Sequence, residues 1–123
     1  MESVNIYSNK FEGSLHLESL PECIEEFDAG KNNFSGTVNL HNLPRPLCKF
    51  GISENRLEGS VCITQVPPKI RKIDVQENFF ETDVIVINEF PPTLFRFGIA
   101  EKGRFSFVDQ NGNPHSNVPS FVQ

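Results

Sequence analysis

Tryptophan is absent from this 123-residue chain, tyrosine and methionine occur once each, and hydrophobic residues make up only 37% of it. The core must therefore be packed from aliphatic side chains and from phenylalanine, of which there are 12. A chain of this size holds one domain, and its apolar content suits an elongated core better than a spherical one. Positive charge is also scarce, with 11 lysines and arginines against 16 aspartates and glutamates and a net charge of -5. That balance argues against a nucleic-acid backbone or an anionic membrane as partner, because like charges repel. No apolar run approaches the roughly 18 residues of a membrane-spanning helix. The polar start Met1-Glu2-Ser3-Val4-Asn5 has neither the basic nor the apolar region of a signal peptide. An intracellular location is expected, or an extracellular one if the sequence is a fragment. Cysteine is limited to Cys23, Cys48 and Cys62, an odd number with no C-x-x-C pair. Free thiols in a reducing compartment are the expectation.

What the chain does contain is repetition. Asn9, Asn32, Asn55 and Asn78 follow one another at a constant 23-residue interval. Gly13, Gly36 and Gly59 keep the same step, with Thr82 in the fourth copy, and so do Pro21, Pro44 and Pro67. Apolar columns run through Phe11, Phe34, Leu57 and Phe80, through Leu15, Val38, Val61 and Val84, and through Leu17, Leu40, Ile63 and Val86. Before the asparagines stand the pairs Val4/Ile6, Phe27/Ala29, Phe50/Ile52 and Ile73/Val75. A further copy contains one extra residue, most simply placed in Ile87-Asn88-Glu89, and brings Pro91, Leu94, Phe97 and Ile99 into register. There the phrase decays, with Lys102 at the asparagine position.

Each feature has a physical reading. The alternation in Phe27-Asp28-Ala29 predicts a short strand with one buried and one exposed face, and its copies pair as parallel neighbours. The asparagine amide satisfies backbone groups of adjacent turns that would otherwise be buried unpaired, at a cost of roughly 1–3 kcal/mol each. Glycine then permits a bend. A second short strand is predicted in Ser14–Leu17, Thr37–Leu40, Ser60–Ile63 and Asp83–Val86. The following proline halts that segment and starts the return. Little regular α-helix is expected.

The stretch Ile24 to Val38 shows the phrase L-x-x-L-x-L-x-x-N-x-L with a G-x-V tail. On this phrase the chain resembles a leucine-rich-repeat protein, and its N-x-F-x-G-x-V-x-L-x-x-L-P variant is similar to repeats of the plant-receptor and protist types. The resemblance implies a leucine-rich-repeat solenoid of about five coils, at 1–23, 24–46, 47–69, 70–93 and from 94 to 102 onward. It further implies a parallel concave sheet that binds a protein or peptide, and no catalytic residues. No cofactor or metal is expected. A fragment of an extracellular ligand-binding receptor ectodomain is the alternative.

On the exposed strand positions, Glu54, Glu77 and Glu101 form an acidic ladder and Lys49, Lys72, Arg71 and Arg96 a basic one on the opposite border. Rungs lie about 5 Å apart, so like charges repel unless a partner or solvent relieves them. With Asp28, Lys31, Ser53, Asp74 and Gln76 these residues form the candidate binding strip. The alternative is a solvated surface with cross-strand pairs worth roughly 0–1 kcal/mol each. Gly30, Gly51, Ser53, Gly98 and Ala100 keep the middle of the strip shallow. His16, His41 and His115 fall in different columns, and no metalloprotease, nucleophile-elbow or phosphate-loop motif occurs. Asp28 and Asp74 are two rungs, roughly 10 Å, apart, with nothing else to suggest hydrolysis. The sequon Asn33-Phe34-Ser35 matters only in a secreted protein. The first coil lacks an obvious cap, so residues 1–9 are expected to contact another chain or domain. Residues 103–123 read as a cap folding Phe107 and Phe121 over the last coil, or as a tail.

Overall fold

The computed structural model describes residues 2–99 and 106–115. The chain winds into two parallel sheets that share one core. The first sheet contains β1 (Glu2–Asn5), β3 (Ile24–Asp28), β5 (Lys49–Gly51), β7 (Lys72–Asp74) and β9 (Arg96–Gly98), in that spatial order. The second contains β2 (Glu12–Gly13), β4 (Asn33–Gly36), β6 (Arg56–Ile63), β8 (Phe79–Ile87) and β10 (Ser106–Val108), likewise in chain order. Every strand pairing is parallel, as it must be when each turn of a coil runs the same way. The molecule is thus a parallel β-solenoid. It makes about four complete turns, one fewer than the five expected, because the fifth is only entered by β9 and β10. The single helical element among the described residues is a 3₁₀ turn at Leu17–Ser19.

The core is one column of aliphatic and phenylalanine side chains. Phe27, Phe50, Ile73 and Phe97 enter it from the first sheet, and Leu57, Val61, Ile63 and Ile85 from the second. Phe27 stacks on Phe50 of the next coil with ring centroids 5.9 Å apart. One tight turn per coil follows the proline: the amides of Ile24, Leu47, Ile70 and Leu94 donate to the carbonyls of Pro21, Pro44, Pro67 and Pro91. These turns send the chain back to the first sheet.

The asparagines hold adjacent coils together. The Nδ2 group of Asn55 donates to the carbonyls of Ala29, Ile52 and Ser53 at 3.0, 3.1 and 3.0 Å, and its Oδ1 accepts the amide of Phe34 at 3.1 Å. Asn32 and Asn78 repeat the pattern, with Oδ1 accepting from Phe11 and Leu57 respectively. Asn9 is exposed and donates only within its own coil, to Ile6 and Tyr7. The residue before each asparagine is left-handed: φ is 60° at Ser8, 56° at Lys31, 52° at Glu54 and 56° at Glu77. A side chain in that region costs roughly 1–2 kcal/mol, which the buried amide bonds beside it offset.

Two expectations are corrected. The extra residue does not lie in Ile87-Asn88-Glu89. Phe80 keeps the position of Leu57, yet Val61 pairs with Ile85 and Ile63 with Ile87, so the additional residue falls between Phe80 and Ile85. Ile85 and Ile87 are buried, whereas Val84 is 38% exposed and Val86 half-buried. The coil that carries the insertion is the one with Thr82 in place of glycine. Second, the segments 14–17 and 37–40 are not strands; pairing in those coils is confined to β2 and β4, earlier in the repeat. Only from β6 onward, where Val61, Ile63, Ile85 and Ile87 supply β-branched residues suited to a pleated surface, does the second sheet extend through both segments.

At the far end Phe107 of β10 is buried, edge-on to Phe90 and Phe97 at 5.6 and 5.9 Å between centroids. The turn that follows folds back so that the His115 amide donates to the Phe107 carbonyl, and its Nε2–H to Ile87. Lys102, where the asparagine series ends, and Phe121 lie outside the described residues.

Candidate functional site

The outward residues of the first sheet come from positions that alternate with Phe27 and Ala29 along each strand. Across the coils they stand in register: Ser3 beside Glu26, Glu26 beside Lys49, Lys49 beside Lys72 and Lys72 beside Arg96. Two residues further along stand Asn5, Asp28, Gly51, Asp74 and Gly98. This face holds a depression of about 380 Å³.

Its low floor follows from the glycines. A Cβ on Gly98 would lie 2.8 Å from Oδ1 of Asp74, and one on Gly51 would lie 3.2 Å from Oδ1 of Asp28. Each aspartate therefore leans over the glycine of the next coil. The same carboxylates accept backbone amides two residues on, Asp28 from Gly30 at 2.9 Å and Asp74 from Gln76 at 3.2 Å, which pins their direction. Asp74 also accepts from the Gln76 side chain. Ser53 lies flush with the floor and is only 8% exposed.

Of the residues expected to bind, Asp28, Lys49, Ser53, Glu54, Lys72, Asp74 and Gln76 line this one depression. Lys31, Arg71, Glu77 and Arg96 lie outside its lining. Glu101 and Ala100 are outside the described residues. The wall also includes Tyr7 and Glu26, which the choice of strip residues passed over although both occupy its columns. Tyr7 is 44% exposed beside the floor. Among the described residues Lys49, Lys72, Glu54 and Glu77 form no ion pair with one another. Around the depression Lys49 and Lys72 stand in one column with Glu26, Glu54 stands on the opposite border, and Asp28 and Asp74 are held down between them.

A different grouping was not legible in the repeat columns. On the outer side of the second sheet Sγ of Cys62 is 3.9 Å from Nδ1 of His41, which itself is 2.9 Å from the Thr64 hydroxyl. Partial burial pushes the Cys62 thiol above its ordinary range. That shift disfavours the thiolate, the form in which a cysteine acts as a nucleophile. Among the described residues no group of three or more histidine, cysteine, aspartate or glutamate side chains is arranged to hold a metal ion, and no helix is long and apolar enough to cross a membrane.

Fold and face together define a parallel β-solenoid built from 23-residue coils. No protein-family model, curated protein or solved structure matches the chain.

Proposed function

We propose that this solenoid is a non-enzymatic interaction module of the leucine-rich-repeat kind, which binds a protein or peptide along the outer face of its first sheet. One observation carries the reading: a depression floored at Gly51, with Lys49 and Lys72 on one side and Glu54 on the other, which among the described residues form no ion pair with one another. Such a face admits an extended backbone closely and selects it by charge pattern. Neither nucleic acid nor membrane is the partner in this reading. An intracellular scaffold role fits the free cysteines.

The test is selection from a random peptide library on the immobilised protein, run in parallel with the double variant E54K/E77K. Peptides enriched by the original protein should be lost from the variant at low salt and return in part when salt is raised. If both proteins enrich the same sequences equally, this face is not the binding surface.

The remaining expectation, contact through residues 1–9, is carried as a second part of the proposal. Val4 and Ile6 are only half-buried and Phe11 is 50% exposed, so a partner coil on that side would complete the core column. Sedimentation of the original chain and of Phe11→Ser tests it; identical monomer behaviour at all concentrations removes it.

A further inference from the structure

The upstream border of the first sheet is irregular in the same way at successive coils. The Cys48 carbonyl accepts two successive amides, Arg71 at 2.7 Å and Lys72 at 3.2 Å, and the Arg71 carbonyl accepts those of Phe95 at 2.9 Å and Arg96 at 3.3 Å. Each of these carbonyls thus takes one extra amide where the next strand begins, while the register stays one to one, Lys49 with Lys72 and Lys72 with Arg96. At this entry both residues of each pair stay out of the core: Arg71 and Phe95 are exposed and Lys72 and Arg96 half-buried. The in-register stacking of these strand entries gathers Lys49, Arg71, Lys72 and Arg96 on one border, with rungs about 4.8 Å apart.

This local charge opposes the net charge of -5 for the whole chain. Among the described residues these four cations meet no carboxylate in an ion pair. The Arg96 Nε–H is shielded from solvent and has no acceptor there. Arg71 lies 5.7 Å from the centroid of the Phe95 ring, which is 52% exposed, so a flat apolar surface stands beside the charges. Cations stacked at strand spacing repel one another, and an anionic partner relieves that repulsion.

We propose that this basic border docks an extended acidic peptide segment, whose alternate carboxylates meet the four cations and whose neighbouring apolar side chain meets Phe95. The proposal rests on the reading of the first sheet's outer face as the binding surface, and specifies which side of it receives negative charge. Same-side residues of an extended chain recur about every 6.8 Å, against about 9.6 Å between the outer two of the three coils that carry the cations, so a Glu-x-Glu pair covers most of that distance and the long lysine and arginine side chains reach the remainder. A phosphate backbone is the less suitable anion, because Glu26, Asp28 and Asp74 line the same face and would repel a continuous strand of charge.

The experiment measures fluorescence anisotropy of a labelled ten-residue peptide alternating glutamate and leucine. Its glutamine counterpart and a single-stranded RNA oligonucleotide are measured alongside, with the original protein and with R71E/K72E and R71Q/K72Q. Circular dichroism establishes that each variant is folded; all changes are on half-buried or exposed side chains. The expected result is binding of the glutamate peptide alone, weakened about tenfold or more by either double variant and by raising salt from about 50 to 500 mM. Absence of glutamate-peptide binding, or binding indifferent to both variants, overturns the acidic-peptide proposal. If library peptides are still lost from E54K/E77K in that case, the wider reading of the face survives. Tighter binding of RNA with the same dependence on Arg71 and Lys72 also overturns the proposal, in favour of a nucleic-acid partner.

Discussion

Four asparagines at one spacing do unequal work. Asn55 is 6% exposed and bridges two coils through three donated bonds and one accepted bond, whereas Asn9 is exposed and serves its own turn. Asn55→Ala leaves buried backbone groups without their partner, at roughly 1–3 kcal/mol for each group that water cannot reach. We expect Asn55→Ala to cost about 3 kcal/mol and Asn9→Ala less than about 0.5, measured by urea unfolding of the isolated chain. Equal costs would show that the bridges do not stabilise the stack. A second single-residue effect depends on pH. Asp109 accepts the amides of Asn113 and Asn111, and these bonds, the Asn113 bond foremost, hold its carboxyl below the ordinary aspartate value of 3.8. A depressed carboxylate contributes its stabilisation fully above the ordinary value and loses it as pH falls through the folded one. Protection of the Asn111 and Asn113 amides, corrected for intrinsic exchange, should therefore be flat from pH 7 to about 5 and fall below about 4. Asp109→Ala should remove that dependence.

The strands show how far a repeat can be read without coordinates. The period, the parallel order and the first-sheet strands were legible because Phe27-x-Ala29, Phe50-x-Ile52 and Ile73-x-Val75 alternate cleanly and can bury only one face. The place of the inserted residue was not, since Val84-Ile85-Val86-Ile87 is aliphatic throughout and two registers one residue apart both offer apolar side chains to the core. Packing decides for Ile85 and Ile87, each with no exposed surface, against Val84 at 38%. The charges of the candidate face were legible as columns for the same reason as the strands. Their place around a depression was not, because it depends on aspartates leaning over glycines, and the outward pairs Arg71-Lys72 and Phe95-Arg96 at the strand entries break the alternation on which such a reading relies. The register is testable: Ile85→Ala should cost about 2–5 kcal/mol and Val84→Ala well under 1, both read from denaturant midpoints. The reverse order would restore the insertion to 87–89 and overturn the observed pairing.

A solenoid transmits disturbance only to its neighbours, since each coil touches the one before and the one after. The first and the last described coils differ. At the first coil Phe11 stacks on Phe34 on one side only and remains 50% exposed. At the last, Phe107 is 5% exposed and closes the core against Phe90 and Phe97, while His115 ties the following turn to Phe107 and Ile87. Phe107→Ala removes a buried ring, a loss of about 3–5 kcal/mol when the cavity cannot collapse. In a globular domain that loss would lower the stability of every element alike. Here it should fall on the coil it covers: amides of β9 and of the C-terminal half of β8 exchange faster, while those of β3 and β5, two or more coils away, keep their protection. The original chain should already show the opposite gradient at its start, with β1 exchanging before β3. Uniform loss of protection along the chain in Phe107→Ala would mean that the coils unfold as one unit, and that binding at the central depression could not be insulated from changes at the ends.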